Sequence, residues 1–512
     1  MTAATDELLR GRLVRADRQE DLTFALYETS TGATRTTALI VDVVLPDEGE
    51  RMVHGNASFT GAYFLRAAGI AAERNLGLAF LHSHPGGRGW QGLSKDDRAA
   101  ESGHAAATEV ITGRPLVGLT LATKDASYSA RRWRRRAIVG PTSTSTSGKS
   151  AVWEDEQATT VRIVGEQIRA CFNNNLVPVP PATPRTLRTV QSWGRPAHSD
   201  LIRLRIGVIG AGSVAQLVAE TLVRTGCVHV DVIDFDLVEE HNLDRLLHAS
   251  EADIGNFKVE VLVEELRRRT VTPGAEVHGF TDSVVEPQGW LRALDCDVLF
   301  SCVDRPWPRF ALNVAAYGHF IPVVDGGVAV DARAKNAPAN GAGHGSSDGD
   351  QTPKDVRLLG AEWRAHVVGP ERKCLECLGQ YDPGDVGMER AGRLDDPTYI
   401  ASLPADHRLR RGENVFAFSM ACASAEVLEL LRAVLGPSGI HDVGATLTHW
   451  TTATTDRDIE GCSHGCLFPT DVLGRGDALA VDVTGAHPIE QHARRVKQPQ
   501  DVPPARRVES KM

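Results

Sequence analysis

The sequence predicts an α/β chain of two domains: an α+β unit, then a unit built on a mostly parallel sheet. Three observations predict it. The chain has 512 residues, too many for one ordinary core. Residues 1–140 hold short strand-like runs around one helical stretch, whereas beyond about residue 185 strands and helices alternate. A short apolar strand, Ile206 to Ile209, also runs directly into a glycine-rich turn and a helix.

Composition narrows the function classes. A hydrophobic content of 42% suffices for packed domains. A formal net charge of -10 argues against nucleic acid as a partner. The opening MTAATDELLRGR lacks the apolar core of a leader, and no apolar run approaches the ~18 residues of a membrane span. The expected location is the cytoplasm, with no membrane partner. There the nine cysteines should be mostly reduced, so close pairs suggest metal before disulfide.

In chain order, Thr37 to Leu45 reads as a buried strand, Phe64 to Asn75 as a helix, and Leu78 to Leu81 as a strand leading into His82. A linker is expected over 141–185, from the low-complexity PTSTSTSGKS to the Pro-rich VPVPPATPR. Gly148-Lys149-Ser150 ends like a P-loop, but Ser143 stands where the first glycine is needed. The second domain is expected over 186–470, interrupted by a disordered excursion at 332–352 and followed by a polar tail at 471–512.

The first chemical signal is Leu81-His82-Ser83-His84-Pro85 followed by Ser94-Lys95-Asp96-Asp97. Histidines two apart on a strand point to one side, so both imidazoles reach one ion. Asp97 supplies a third ligand and leaves a tetrahedral position open for water, the pattern of catalytic zinc. Ser94-x-x-Asp97 is also a helix capping box, and the two readings are compatible. The whole pattern resembles the JAMM (JAB/MPN) metallopeptidases. That resemblance implies hydrolysis of peptide or isopeptide bonds after the C-terminal glycine of ubiquitin-like proteins. It implies His82, His84 and Asp97 as zinc ligands, Ser94 as the group that steadies the oxyanion, and Glu20 as the general base. The loop between His84 and Asp97 is longer than in the family's usual pattern, which leaves Asp96 as an alternative ligand.

The second signal is Gly210-Ala211-Gly212-Ser213-Val214-Ala215 between strand and helix, the layout of a Rossmann phosphate turn. Its glycines permit close approach by a phosphate, and the helix N-terminus favours the anion. The next strand ends at Asp234, placed for a ribose hydroxyl. Asn242, Arg245, Lys258 and Asp304 follow at strand ends and helix starts. Such a set suits a triphosphate with magnesium better than a dinucleotide, because cations hold phosphates and a carboxylate holds the metal. An NAD-dependent oxidoreductase is correspondingly disfavoured.

This set resembles the ThiF/MoeB/HesA family and the adenylation domains of ubiquitin-activating enzymes, from about Arg188 to Gly436. The resemblance implies MgATP as cosubstrate and transfer of AMP to a C-terminal glycine carboxylate. It further implies Arg188 as a phosphate-reaching arginine, in that family often from a partner subunit, and hence a homodimer.

Cys374-x-x-Cys377 and Cys462-Ser463-His464-Gly465-Cys466 form two close pairs. Many ThiF-type enzymes hold a structural zinc with two such pairs, with His464 here as an alternative ligand. The rival is that one of these cysteines forms a thioester with the activated partner. Cys422 reads as a small apolar helix residue. The basic run Arg131 to Arg136 reads as a solvated strand end ahead of a nucleic-acid or acidic-partner surface.

Together these readings anticipate a bifunctional zinc peptidase and adenylyltransferase. Its partner would be a ubiquitin-like or sulfur-carrier protein, with a separate conjugating enzyme where the pathway tags proteins. Activation of a sulfur carrier for cysteine, thiamine or molybdopterin synthesis is one alternative. A non-catalytic scaffold binding a ubiquitin-like protein is another.

Overall fold

The computed structural model describes residues 1–54, 56–136, 152–334, 356–402, 414–436 and 444–486. The 141–150 run with its P-loop-like ending, most of the 332–352 excursion and the tail beyond 486 lie outside these residues.

The N-terminal unit begins with α1 (Ala3–Leu13), β1 (Leu22–Thr31), β2 (Thr36–Val44), β3 (Arg51–His54) and β4 (Asn56–Phe59). It continues through α2 (Gly61–Glu73), β5 (Gly77–His84), α3 (Lys95–Thr112), β6 (Val117–Ala122), β7 (Ser127–Arg136) and β8 (Val152–Gln157). Six strands form one sheet in the order β2-β1-β5-β6-β7-β8. Only β5 and β6 are parallel, as their crossover through α3 requires. Successive side chains of a strand face opposite ways, so β5 feeds two cores. Leu78 and Phe80 pack with Tyr63, Phe64 and Trp133 under α2, while Ala79 and Leu81 pack with Leu9 and Leu13 of α1.

The segment expected as a linker carries β8 and a hairpin of β9 (Thr160–Val164) and β10 (Ile168–Phe172). Charge explains why β8, VWEDEQ, gave no apolar signal: it pairs antiparallel with the basic run on β7. Arg132 and Arg134 both meet Glu156 at 2.6 Å, and Arg136 meets Glu154 at 2.9 Å. The basic run is therefore matched by an acidic neighbouring strand.

The second unit runs through α4 (Leu187–Trp193), α5 (Arg195–Ile202), β11 (Arg205–Ile209), α6 (Ser213–Thr225), β12 (His229–Ile233), α7 (Lys258–Arg269) and β13 (Glu276–Phe280). There follow α8 (Pro287–Leu294), β14 (Val298–Ser301), α9 (Pro306–Gly318), β15 (Val323–Ala334) and β16 (Val356–Val368). Last come α10 (Pro383–Arg390), α11 (Pro397–Ser402), α12 (Phe416–Leu435), β17 (Ala445–His449) and β18 (Thr454–Asp458). Its sheet has the order β13-β12-β11-β14-β15-β16-β17-β18. Pairing is parallel from β13 to β15 and antiparallel from there on, so the expected mostly parallel sheet is a mixed one. Strand order reverses between β11 and β14, the switch point where such sheets open a ligand crevice.

Part of the expected tail packs back onto the fold: Trp307 Nε1 donates to the Val483 carbonyl at 2.9 Å, and Asp477 accepts from the Thr31 amide at 2.9 Å. The two units share a polar seam. Buried Asp297 takes Arg35 at 2.7 Å and Arg162 at 3.2 Å, and accepts the Arg205 amide at 2.9 Å. Burial raises the Asp297 carboxyl, but Arg35 and Arg162 outweigh it and hold it below the usual carboxylate range. That contribution is present above the free-carboxylate value of about 3.9 and is lost as pH falls through the lower folded value. Asp297→Ala strands two cations in the seam and is expected to cost about 3–5 kcal/mol in urea denaturation.

Candidate functional sites

Two groups of side chains are brought together where the sequence placed chemistry, and a third at the cysteines. Burial of β5 on both faces fixes His82 and His84 at its end. The helix facing them begins at Ser94, whose hydroxyl accepts the Asp97 amide at 3.1 Å while Asp97 Oδ2 accepts the Ser94 amide at 3.0 Å. This capping box locks Asp97 in the first turn of α3.

The two Nε2 atoms then lie 3.2 Å apart. His84 Nε2 is 3.4 Å from Asp97 Oδ2, and His82 Nε2 is 3.8 Å from Asp97 Oδ1. Zinc–nitrogen bonds of about 2.0–2.1 Å place tetrahedral donors roughly 3.3 Å apart, so this donor set fits zinc. Burial, then the Arg131 charge, pushes the His82 imidazole down to about 3, keeping it neutral. His84 is raised, chiefly through its hydrogen bond with Asp97, and Asp97 is lowered by the same bond. Glu20 precedes β1; burial and then Asp97 raise its carboxyl, which places it in the field of the same group. Asp96 is outside the donor triangle.

The second crevice lies at the switch point. Gly210 adopts φ of 106°. A Cβ there would also stand 2.6 Å from the Cys302 carbonyl, so glycine is required twice over. A Cβ at Gly212 would meet nothing within 4 Å, so the space before α6 is open. Asp234 directly follows β12 and accepts from the Ala211 amide at 2.7 Å and the Asp236 amide at 2.8 Å, tying the glycine turn to the neighbouring strand. Burial and then Asp236 raise its carboxyl.

Lys258 opens α7 and reaches Asp236 at 2.9 Å. Burial opposes its charge, but Asp236, Asp234 and also Asp304 act to raise its ammonium. Lys258, Asp234, Asp236 and Asp304 thus share one field. Asn242 is buried and accepts the Glu239 amide at 3.1 Å as a cap. Arg245 donates to the His241 carbonyl at 2.6 Å within its own loop. Arg188 is exposed on α4. Among the described residues, neither arginine is joined to the Lys258 group by a hydrogen bond or ion pair.

The four cysteines of the two pairs converge. Cys374 and Cys466 sulfurs lie 3.6 Å apart, and all four sulfurs lie within 4.8 Å of one another. Zinc–sulfur bonds of about 2.3 Å imply sulfurs roughly 3.8 Å apart, so the set fits a closed site. The Cys374 amide donates to Cys462 at 3.3 Å and the Cys377 amide to Cys374 at 3.3 Å, bonds that favour thiolates. His464 is exposed and outside this group. Cys422 is buried as expected but has polar partners, with Glu426 Oε1 at 3.4 Å and the Arg364 carbonyl at 3.6 Å.

Sequence reasoning missed what stands behind these sites. Ser213 opens α6 and is 3.0 Å from Ser419 of α12, with Asn414 donating to it at 3.0 Å. Such cross-chain partners have no local signal. Glu101, one turn beyond Asp97, was legible in principle from helical spacing.

A model described as the ThiF family matches residues 184–460. A tRNA threonylcarbamoyladenosine dehydratase 2 of Saccharomyces cerevisiae is 30% identical over 29% of this chain and 33% of its own length. Ubiquitin-like modifier-activating enzyme 5 of Caenorhabditis briggsae is 31% identical over 22% of this chain and 27% of its own. The sulfur carrier protein ThiS adenylyltransferase of Bacillus subtilis is 29% identical over 26% of this chain and 40% of its own. The chain therefore spans well under half the length of each of these relatives.

Proposed function

The chain belongs to the ThiF family, and from that premise we propose that it is a bifunctional enzyme of ubiquitin-like C-termini. Its N-terminal unit hydrolyses the bond after the terminal glycine, and its second unit adenylates the exposed carboxylate. The observation that carries this reading is the presence in one chain of the His82/His84/Asp97 triangle and the Gly210–Asp304 crevice.

At the first site His82, His84 and Asp97 would hold zinc. A zinc ion held there would supply Lewis-acid activation of water. Glu20 takes the water's proton and returns it to the departing amine. The Ser94 hydroxyl accepts from the Asp97 amide, which leaves its own O–H free to donate to the oxyanion.

At the second site the glycine turn and the N-terminus of α6 receive the phosphates. Lys258 exchanges its partner Asp236 for phosphate oxygens, and Asp304 is the carboxylate that holds magnesium. A terminal glycine carboxylate attacks the α-phosphorus of ATP; the acyl–AMP anhydride forms and pyrophosphate leaves. Arg188 and Arg245 supply further cations, Arg188 to a second copy of the chain in a homodimer. The likeness to a ThiS adenylyltransferase supports a sulfur-carrier partner equally well, since the carboxylate chemistry is the same. A terminal-glycine carrier that drives ATP–pyrophosphate exchange tests the reading; exchange indifferent to that carboxylate contradicts it.

Cys374, Cys377, Cys462 and Cys466 hold a structural zinc in this account, not a thioester. The purified chain is expected to carry two equivalents of zinc by elemental analysis. His84→Ala should remove one equivalent; Cys374→Ser should remove the other and lower thermal stability, because a structural ion contributes folding energy.

A further inference from the structure

The basic run on β7 has a second role that its composition conceals. Strand alternation puts Arg132 and Arg134 on the outer face of the sheet, beside Glu156 of β8, but turns Arg131 and Trp133 inward, where both are buried. There both donate to Glu101 of α3: Arg131 Nε at 2.8 Å and Trp133 Nε1 at 2.7 Å to Oε2, with Arg131 Nη2 reaching Oε1. Glu101 is 1% exposed. Arg131 Nη1 also donates to Thr120 Oγ1 at 2.9 Å, and that hydroxyl lies 3.4 Å from His82 Nε2. Glycine is needed at 118, where a Cβ would stand 2.2 Å from Glu101 Oε2.

Glu101 lies directly behind the histidine pair. Its Oε1 is 3.9 Å from His82 Nδ1, a buried ring nitrogen with no hydrogen-bond partner. The other nitrogen, Nε2, faces His84 and Asp97. A buried unpartnered donor is costly, and metal-bound imidazoles ordinarily give their second N–H to a carboxylate or carbonyl.

We propose that Glu101, held by Arg131 and Trp133, is the positioning residue of the histidine site: it accepts a hydrogen bond from His82 Nδ1–H and so presents Nε2 to the metal. The inference rests on the reading of His82, His84 and Asp97 as a zinc site. One helix then carries both a ligand, Asp97, and the group that orients another ligand a turn later. The cap fixes Asp97 before metal arrives, and Glu101, itself fixed by Arg131 and Trp133, stands behind His82.

The test is zinc affinity, measured by competition with a chromophoric chelator on apo full-length chain, beside the melting temperature without metal. Glu101→Gln keeps the shape, and Gly118→Ala displaces Glu101 without touching the histidines. Each is expected to weaken the histidine site about 10–100-fold, with the cysteine site unchanged as an internal control for folding. The melting temperature of at least one variant should stay within a few degrees of wild type. Wild-type affinity in both variants, with His84→Ala abolishing the site, overturns the role of Glu101 alone. Absence of zinc at the histidine site of the wild-type chain overturns the zinc reading, and this inference with it.

Discussion

Lys258→Ala and Asp304→Ala are each expected to lower ATP–pyrophosphate exchange by about 10²–10³-fold, the usual loss when one preorganised group facing developing charge is removed. Lys258 is suited to the role because it is half held already. Its ammonium sits 2.9 Å from Asp236 and its side chain is 14% exposed, so little ordering remains when a phosphate replaces the carboxylate. Asp304 stands in the loop between β14 and α9, across the switch point from the glycine turn, in the field of that lysine. Peptidase activity should be unchanged in both variants, because neither residue is near β5. Exchange at the wild-type rate in Asp304→Ala would remove the magnesium assignment and favour a nucleotide-binding domain without the chemistry.

The second large effect belongs to Glu20. Glu20→Gln should lower hydrolysis by about 10²–10⁴-fold, the contribution of a positioned proton acceptor. Zinc should remain at two equivalents, because His82, His84 and Asp97 are untouched. Exchange with a carrier that already ends in glycine should be unaffected. Loss of zinc in Glu20→Gln would instead make Glu20 a ligand.

The kernels of both candidate sites, His82 to Asp97 and the turn at Gly210, are legible because each is short and sits at an element boundary. The turn at Gly210 lies between a strand and a helix that the apolar pattern defines. His82 to Asp97 spans one strand end and one helix cap. The two cysteine pairs are far apart in the chain, yet each was visible as a pair, and folding brings their sulfurs together.

What was hidden depended on charge or on distance. β8 was read as linker because its strand character comes from cross-strand ion pairs rather than apolar alternation. The seam around Asp297 joins residues far apart in sequence, so no local pattern announces it. Asn242 and Arg245 stand out in the sequence by their position after β12 and by the family motif, whereas their contacts here are a cap and a loop carbonyl. The nucleotide-binding role proposed for them would require both side chains to move from these positions.

The central claim, that one chain exposes a C-terminal glycine and then activates it, is tested most directly with a carrier extended beyond that glycine by a short peptide. Wild-type chain supplied with MgATP is expected to release the extension and then support pyrophosphate exchange. Glu20→Gln should support exchange only with carrier trimmed beforehand, and Asp304→Ala should release the extension without exchange. Equal exchange by Glu20→Gln and wild type on the extended carrier, or no release of the extension by any form, would contradict the account.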